Sequence, residues 1–352
     1  MSNRTIQPSL FGLNKTNRDY TKEATWGKNQ FNSSFPASLY CYLASKNIEA
    51  NYLSIKDGLF QPTTITIKDI FGLEADDSNL YFAFEAQHTP FQRYVIGTLP
   101  RTDLVTQRES TGECLHGLEI KLTALPDNST FNLSENEYGS ELVVRPDTIV
   151  YLACSLATSL EADLSKFIPN IEIDDWSDAS LVLPHIQIII ETIQNISLAI
   201  EESQNSFLLQ PIWKTKGKSP QLAQQCLDVF VWSNAGFTNF ISQIADNNPK
   251  ATKITRQTRT AIWLFKMLQD IAIKGKFDHE AIIDNLSYNT KNDKAFASSG
   301  KITNRYMLSP RLEKPIISKA EIKNIILGGG QNMLSPERRF DAIIFNSPEL
   351  FR

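Results

Sequence analysis

The chain has 352 residues, 41% of them hydrophobic and 21% charged, with a formal net charge of −4. That is ordinary globular composition, long enough for one large or two modest domains whose core needs no disulfide or metal staple. Four scattered cysteines without a Cys-x-x-Cys pair point away from a zinc site or a disulfide framework, and the opening MSNRTIQPSLFG is too polar for a signal peptide. The apolar runs fall short of the ~20 residues needed to cross a bilayer, so a soluble cytoplasmic protein without a membrane partner is expected.

Residues 1–35 are polar and weakly periodic and predict an arm or long loop. Residues 36–47 have helical spacing, with Pro36 at the expected start. NYLSI and TTITI predict two short strands around the Asp57-Gly58 turn. RTDLVT and LHGLEIKLT predict a hairpin joined by QRESTGEC, and TIVYLACSLATSL (148–160) predicts a helix packed on a sheet. A second apolar helix is expected within 181–200. FLLQPIWKT and LDVFVWS predict buried strands, and 254–274 predicts a long amphipathic helix. A hairpin, a crossover helix and further strands imply an α/β fold with a mixed β-sheet flanked by helices.

The net charge conceals an asymmetry. Residues 155–210 carry nine acids against the single base Lys166, whereas 251–310 carry ten Lys/Arg against five Asp/Glu. Such a gradient suits one face for a polyanion; uneven but solvated charge is the alternative.

Alternation along Leu118-Glu119-Ile120-Lys121-Leu122 turns the three apolar residues to the core and leaves Glu119 and Lys121 on the other face, ~7 Å apart along the strand. Asp103 lies 16 residues upstream on the preceding strand, so the hairpin returns it beside Glu119. Two carboxylates can hold Mg²⁺ while a lysine steadies an attacking water, which is what phosphodiester hydrolysis needs. This is the PD-(D/E)xK pattern of nucleases. Glu321-Ile322-Lys323 repeats the tripeptide, but in a stretch where a helix is plausible and residues two apart diverge. The Pro126-Asp127 and Pro146-Asp147 pairs both follow the strand and are set aside for that reason. Glu85 is a candidate third carboxylate; a charged residue at the edge of an apolar element is the plainer reading. The four scattered histidines form no HNH-like cluster, and no Ser/His/Asp set stands out.

The segments FGLNKTNRDY, WGKNQFNSSFPASL, LPRTDLV, GLEIKLTALPD, YGSELVVRPDTIVYLA, QPIWKTKGKSPQL, SYNTKNDKAFA and IILGGGQNMLSPERRFDAII resemble the type II restriction endonucleases of the HindVP/HgiDI group, from about Phe11 to Phe345. The resemblance implies a restriction-endonuclease-like core at 75–245, after an N-terminal arm with helix and β segments at 1–74. A basic DNA-recognition region integrated with the core follows at 246–352. It also implies Mg²⁺-dependent cutting of double-stranded DNA at a palindrome of the GRCGYC type, with a DNA methyltransferase as functional partner in the host. The catalytic pattern maps onto Asp103, Glu119 and Lys121, with Thr102 where the motif has proline.

A palindromic target implies a homodimer, each subunit reading one half-site. Arg256, Arg259 and Lys266 share a helix face with Trp263, suited to a DNA backbone or groove or, alternatively, an ordinary amphipathic face with Trp263 partly buried. Lys291, Lys294, Lys301 and Arg305 lie in a polar loop expected to touch DNA. Lys214, Lys216 and Lys218 suit phosphates, and Gln331 or Asn332 after the triple glycine could reach a base, although a tight turn is the simpler reading. The run lacks the Gly-Lys-Ser/Thr of a P-loop, which excludes ATP binding there. Whether the N-terminal arm, with Lys15, Arg18 and Lys28, touches DNA or the other subunit stays open. A non-cleaving sequence-specific DNA-binding protein and a repair nuclease of the same fold are the competing readings.

Overall fold

Asp57 and Gly58 both take positive φ (51° and 72°), the backbone that a two-residue hairpin loop demands and that Asp and Gly adopt at small cost. They join β1 (Ala50–Lys56) to β2 (Leu59–Ile65), with Lys56 opposite Leu59. The computed structural model describes residues 13, 15–18, 28–126, 142–203, 205–216, 221–246, 253–288, 296–298 and 317–322. Helix α1 (Lys28–Ser45) precedes the hairpin, and α2 (Ile67–Phe71), β3 (Leu80–Ala86), β4 (Thr102–Arg108), β5 (Cys114–Ile120), β6 (Thr123–Pro126) and β7 (Leu142–Val144) follow it. Then come α3 (Pro146–Leu160), the short α4 (Leu164–Phe167) and α5 (Ala179–Val182), α6 (Ile186–Ala199), β8 (Ser206–Thr215) and β9 (Leu222–Ser233). The remaining elements are α7 (Asn234–Asp246), α8 (Arg256–Lys274), α9 (His279–Asn285), β10 (Phe296–Ser298) and β11 (Ile317–Ser318).

The main sheet runs β2-β1-β9-β8-β5-β4-β3, with β6 also on β8 and β11 also on β9. It is mixed: β1 with β9, and β5 and β6 with β8, are parallel, and the other pairs are antiparallel. β5 and β6 follow one register along β8, Glu119 beside Leu208 and Thr123 beside Ile212, with a break at Lys121-Leu122. Lys121 N–H still donates to Leu209 O (2.8 Å) across that break.

Alternation divides the core into two layers. Leu208 and Phe230 face α3, α6, α7 and α8, whereas Leu209, Val229 and Val231 face α1 and α2. Leu118 and Ile120 join the second layer, as their spacing predicts. The result is a restriction-endonuclease-like α/β fold, a mixed sheet flanked by helices. At the β9–α7 junction, Gly236 lets the helix meet strand β1, since a Cβ there would lie 2.4 Å from Leu53 O. The Ser233 hydroxyl secures the junction, donating to Leu53 O (3.2 Å) and accepting from Gly236 N–H (2.8 Å).

Three expectations are corrected. Pro36 does not open its helix: α1 begins at Lys28 and carries Pro36 inside it. The burial of Phe35, Leu39, Tyr40 and Leu43 outweighs the lost backbone donor. Part of the expected arm also packs on the sheet: residues 15–18 lie along β3. There Phe82 N–H donates to Lys15 O (2.9 Å), and the Asn17 side chain accepts from Phe84 N–H (2.9 Å) and donates to Phe84 O (2.8 Å). Finally, the run 179–199 does reach the length and mean hydropathy of a membrane span. It is interrupted by a 3-10 turn at Leu183–His185, and Ile189, Ile190, Ile193 and Ile196 are core residues, so its apolarity is that of a packed helix.

Candidate active site

Three antiparallel strands place the acidic residues. β4 pairs with β5 so that Leu104 lies opposite Leu118, and one step further along this register sets Asp103 beside Glu119. Asp103 Oδ2 accepts the backbone N–H of Ile120 (2.8 Å), which ties the two strand ends together. The chain entering β4 is held by Tyr151 of α3, whose hydroxyl donates to Pro100 O (2.9 Å) and accepts from His88 N–H (3.1 Å).

Glu119 is only 7% exposed, pointing away from the α1–α2 layer that takes Leu118 and Ile120. Its Oε1 receives the Lys121 ammonium and the Thr148 hydroxyl (3.3 Å), and its Oε2 receives the Thr102 hydroxyl (3.2 Å). Asp103, Glu119 and Lys121 thus converge as their spacing predicts.

Burial, and then the charge of Glu119, push the Asp103 carboxyl up to about 7, while Lys121, the Ile120 N–H and Arg145 oppose the rise. Asp147 is also raised, first by loss of water around its carboxylate and then by Glu119, with His279, Arg145 and Lys121 opposing. Two carboxyls raised by burial and by a neighbouring carboxylate mark a site short of positive charge. A divalent cation with oxygen ligands fits that deficit. Among the described residues, Asp103 accepts the Ile120 N–H through Oδ2, leaving Oδ1 for such a cation, and Glu119 Oε2 accepts from Thr102 only. Among the described residues no group of three or more His, Cys, Asp or Glu forms a cation cage. The protein therefore offers two carboxylates, an arrangement that suits Mg²⁺ because this ion keeps several waters.

Glu85 is not brought into the pair. The β3–β4 register places it next to Asp103, between Phe84–Leu104 and Ala86–Thr102, but its backbone has φ 49° and its carboxylate pairs with Arg18 at 3.4 Å. Glu321 of the repeated tripeptide serves structure: it accepts from Tyr42 Oη (2.7 Å) and Ser318 N–H (2.8 Å). Lys323 lies outside the described residues. His116 is likewise a hairpin residue, its Nδ1 2.8 Å from Ile70 O.

The basic stripe expected on α8 is largely turned inward. Arg259 is 2% exposed, with its guanidinium 4.4 Å from the centre of the Trp263 ring, and Trp263 is 1% exposed. Lys266 pairs with Asp270 (2.6 Å) and lies over Trp176. These contacts draw Arg259 and Lys266 into the packing of α8, and Arg256, in the first turn, is the exposed member of the set. Lys214 is half-buried near the end of β8, and Lys216 is exposed just beyond it. Lys218, Lys291, Lys294, Lys301, Arg305, Gln331 and Asn332 lie outside the described residues.

Sequence reasoning missed Thr102, Arg145, Asp147 and Thr148. Pro146-Asp147 follows the strand in sequence, yet it opens α3, whose first turn meets Glu119. The Pro-Asp-Thr run ahead of an apolar helix was the available signal.

Two carboxylates and a lysine at the ends of adjacent strands, on a mixed sheet flanked by helices, define a restriction-endonuclease-like nuclease. Residues 26–351 match the HindVP restriction endonuclease family. The chain is 53% identical over 350 residues to the probable type II restriction enzyme HindVP of Haemophilus influenzae, covering 99% of this chain and 96% of that protein. It is 42% identical over 350 residues to the type II restriction enzyme HgiDI of Herpetosiphon aurantiacus, covering 98% and 97%. No solved structure matches it. The chain belongs to the HindVP restriction endonuclease family and is an enzyme of the type II, site-specific endonuclease class.

Proposed function

We propose that the protein hydrolyses phosphodiester bonds in double-stranded DNA at a palindromic site of the GRCGYC type, with Asp103, Glu119 and Lys121 as its catalytic centre and Mg²⁺ as cofactor. The observation that carries this is the convergence of Glu119, Asp103 and Lys121 at the β4–β5 strand ends. Asp103 and Glu119 would hold the cation. When bound, Mg²⁺ supplies charge neutralisation at the scissile phosphate and lowers the pKa of water.

Glu119 Oε1 fixes the ammonium of Lys121, so the lysine is already in place when a phosphate arrives. Lys121 then donates to the attacking water and offsets charge on the phosphate oxygens as the in-line displacement proceeds. Thr102 and the Ile120 N–H hold the two carboxylates in fixed rotamers, which reduces the reorganisation cost of the reaction. A homodimer matches the two-fold symmetry of a palindrome, a DNA methyltransferase protects host sites, and the work is done in the cytoplasm. Arg256, Lys214 and Lys216 are the described cations proposed to approach DNA phosphates.

The test is digestion of plasmid DNA by the purified protein with Mg²⁺ or EDTA, beside Glu119→Ala. Discrete fragments that require both Mg²⁺ and Glu119 are expected. Intact plasmid with DNA still bound by folded protein would favour a non-cleaving binder, and nicking confined to branched DNA would favour a repair nuclease.

A further inference from the structure

Glu119 is buried and accepts from three side-chain donors. Each carboxylate oxygen carries two lone pairs. Oε1 is filled by Lys121 Nζ and Thr148 Oγ1 (3.3 Å), whereas among the described residues Oε2 has Thr102 Oγ1 alone (3.2 Å). The two threonines are not equivalent. A hydroxyl has one proton, and that of Thr102 is divided between Glu119 and Leu118 O (3.1 Å).

Thr148 is fully buried (0% exposed) in the first turn of α3, between Asp147 and the core residue Ile149. A threonine inside a helix commonly turns its hydroxyl back to a carbonyl of its own helix. Thr148 instead sends it across to the strand, and among the described residues Glu119 is its one acceptor. Its neighbours Ile149, Val150 and Leu152 are all fully buried, so α3 cannot shift easily to release it.

We infer that Thr148 is a positioning residue that selects which oxygen of Glu119 takes the cation. By committing Oε1 to itself and Lys121, it leaves Oε2 as the ligating oxygen and keeps the lysine beside the site. Glu119 would then offer the cation Oε2, with Oε1 held by Lys121 and Thr148. The inference rests on the reading of Asp103 and Glu119 as the cation-binding pair.

The experiment is titration of the full-length protein with Mn²⁺ in the absence of DNA, followed by electron paramagnetic resonance of the free ion. Wild type, Thr148→Val, Thr148→Ser and Glu119→Ala are compared, and a melting curve is recorded for each. Thr148→Val keeps the volume and removes the donor, so Mn²⁺ should bind about ten- to a hundredfold more weakly, the usual cost of losing a group that orients a ligand. Thr148→Ser keeps the hydroxyl and should bind as wild type does. Thr148→Ala replaces the valine variant if the latter does not fold. Equal affinity in wild type and Thr148→Val, with weakened binding in Glu119→Ala, overturns the role of Thr148 alone. Weakening in Thr148→Ser as severe as in Thr148→Val also overturns it, because packing and not the hydroxyl would then be responsible. Wild type and Glu119→Ala binding Mn²⁺ alike would instead remove the cation site itself.

Discussion

Asp103→Asn probes the site through stability, without a substrate. The structure pushes the Asp103 carboxyl from its ordinary 3.8 up to about 7, chiefly by burial and by the charge of Glu119. A raised folded-state value means that folded protein holds its proton where unfolded chain has lost it. The stabilising contribution is therefore complete below about pH 4, falls as pH rises towards about 7, and changes no further above that. At 1.36 kcal/mol per pKa unit the whole window corresponds to about 4 kcal/mol, and the part between pH 5.5 and 7 to about 2 kcal/mol. Asparagine cannot ionise, so metal-free wild type should lose ground to Asp103→Asn as pH rises from 5.5 to 8. The change should amount to about 3–5 °C in melting temperature. Titrating groups away from Asp103 are common to both proteins and cancel in the difference. Added Mg²⁺ should then raise the melting temperature of wild type more than that of the variant, and more at pH 8 than at pH 5.5, because the cation competes with the proton. A gap between the two metal-free proteins that is constant from pH 5.5 to 8 would refute this account of the carboxylate pair.

Lys121→Ala should reduce the single-turnover cleavage rate by at least about a hundredfold while changing DNA affinity, measured in Ca²⁺, by less than about threefold. A variant cutting at near wild-type rate would remove Lys121 from the centre. Arg259→Ala takes a buried cation off the face of Trp263 and should cost about 2–4 kcal/mol in denaturant unfolding, with the salt dependence of DNA binding unchanged. Arg256→Ala should lower the salt slope by about one. Gly236→Ala drives a Cβ against Leu53 O and should cost about 3 kcal/mol by the same unfolding measurement; an unaltered midpoint would show that α7 can retreat from β1.

The convergence of Asp103, Glu119 and Lys121 was legible because strand alternation is a local rule: Leu118 and Ile120 go inward, so Glu119 has to go the other way. The Asp57-Gly58 hairpin was legible for the same kind of reason, since its two residues tolerate the positive φ that the turn needs. Tertiary structure decided the rest. Thr148 reaches Glu119 from 29 residues downstream, a contact set by how α3 lies across the sheet and not by any neighbour in sequence. Glu85 occupies the row beside Asp103, yet the Arg18 guanidinium claims its carboxylate across 67 residues. On α8 the spacing of Arg256, Arg259, Trp263 and Lys266 was read correctly as one stripe, but periodicity does not say what that stripe faces. Arg259 has an apolar stem and a flat cation that stacks on an indole, so it can be buried where a lysine would more readily stay in water. Sequence determined which side chains share a face; packing of distant elements determined which faces meet, because burial free energy depends on contacts that no local window contains.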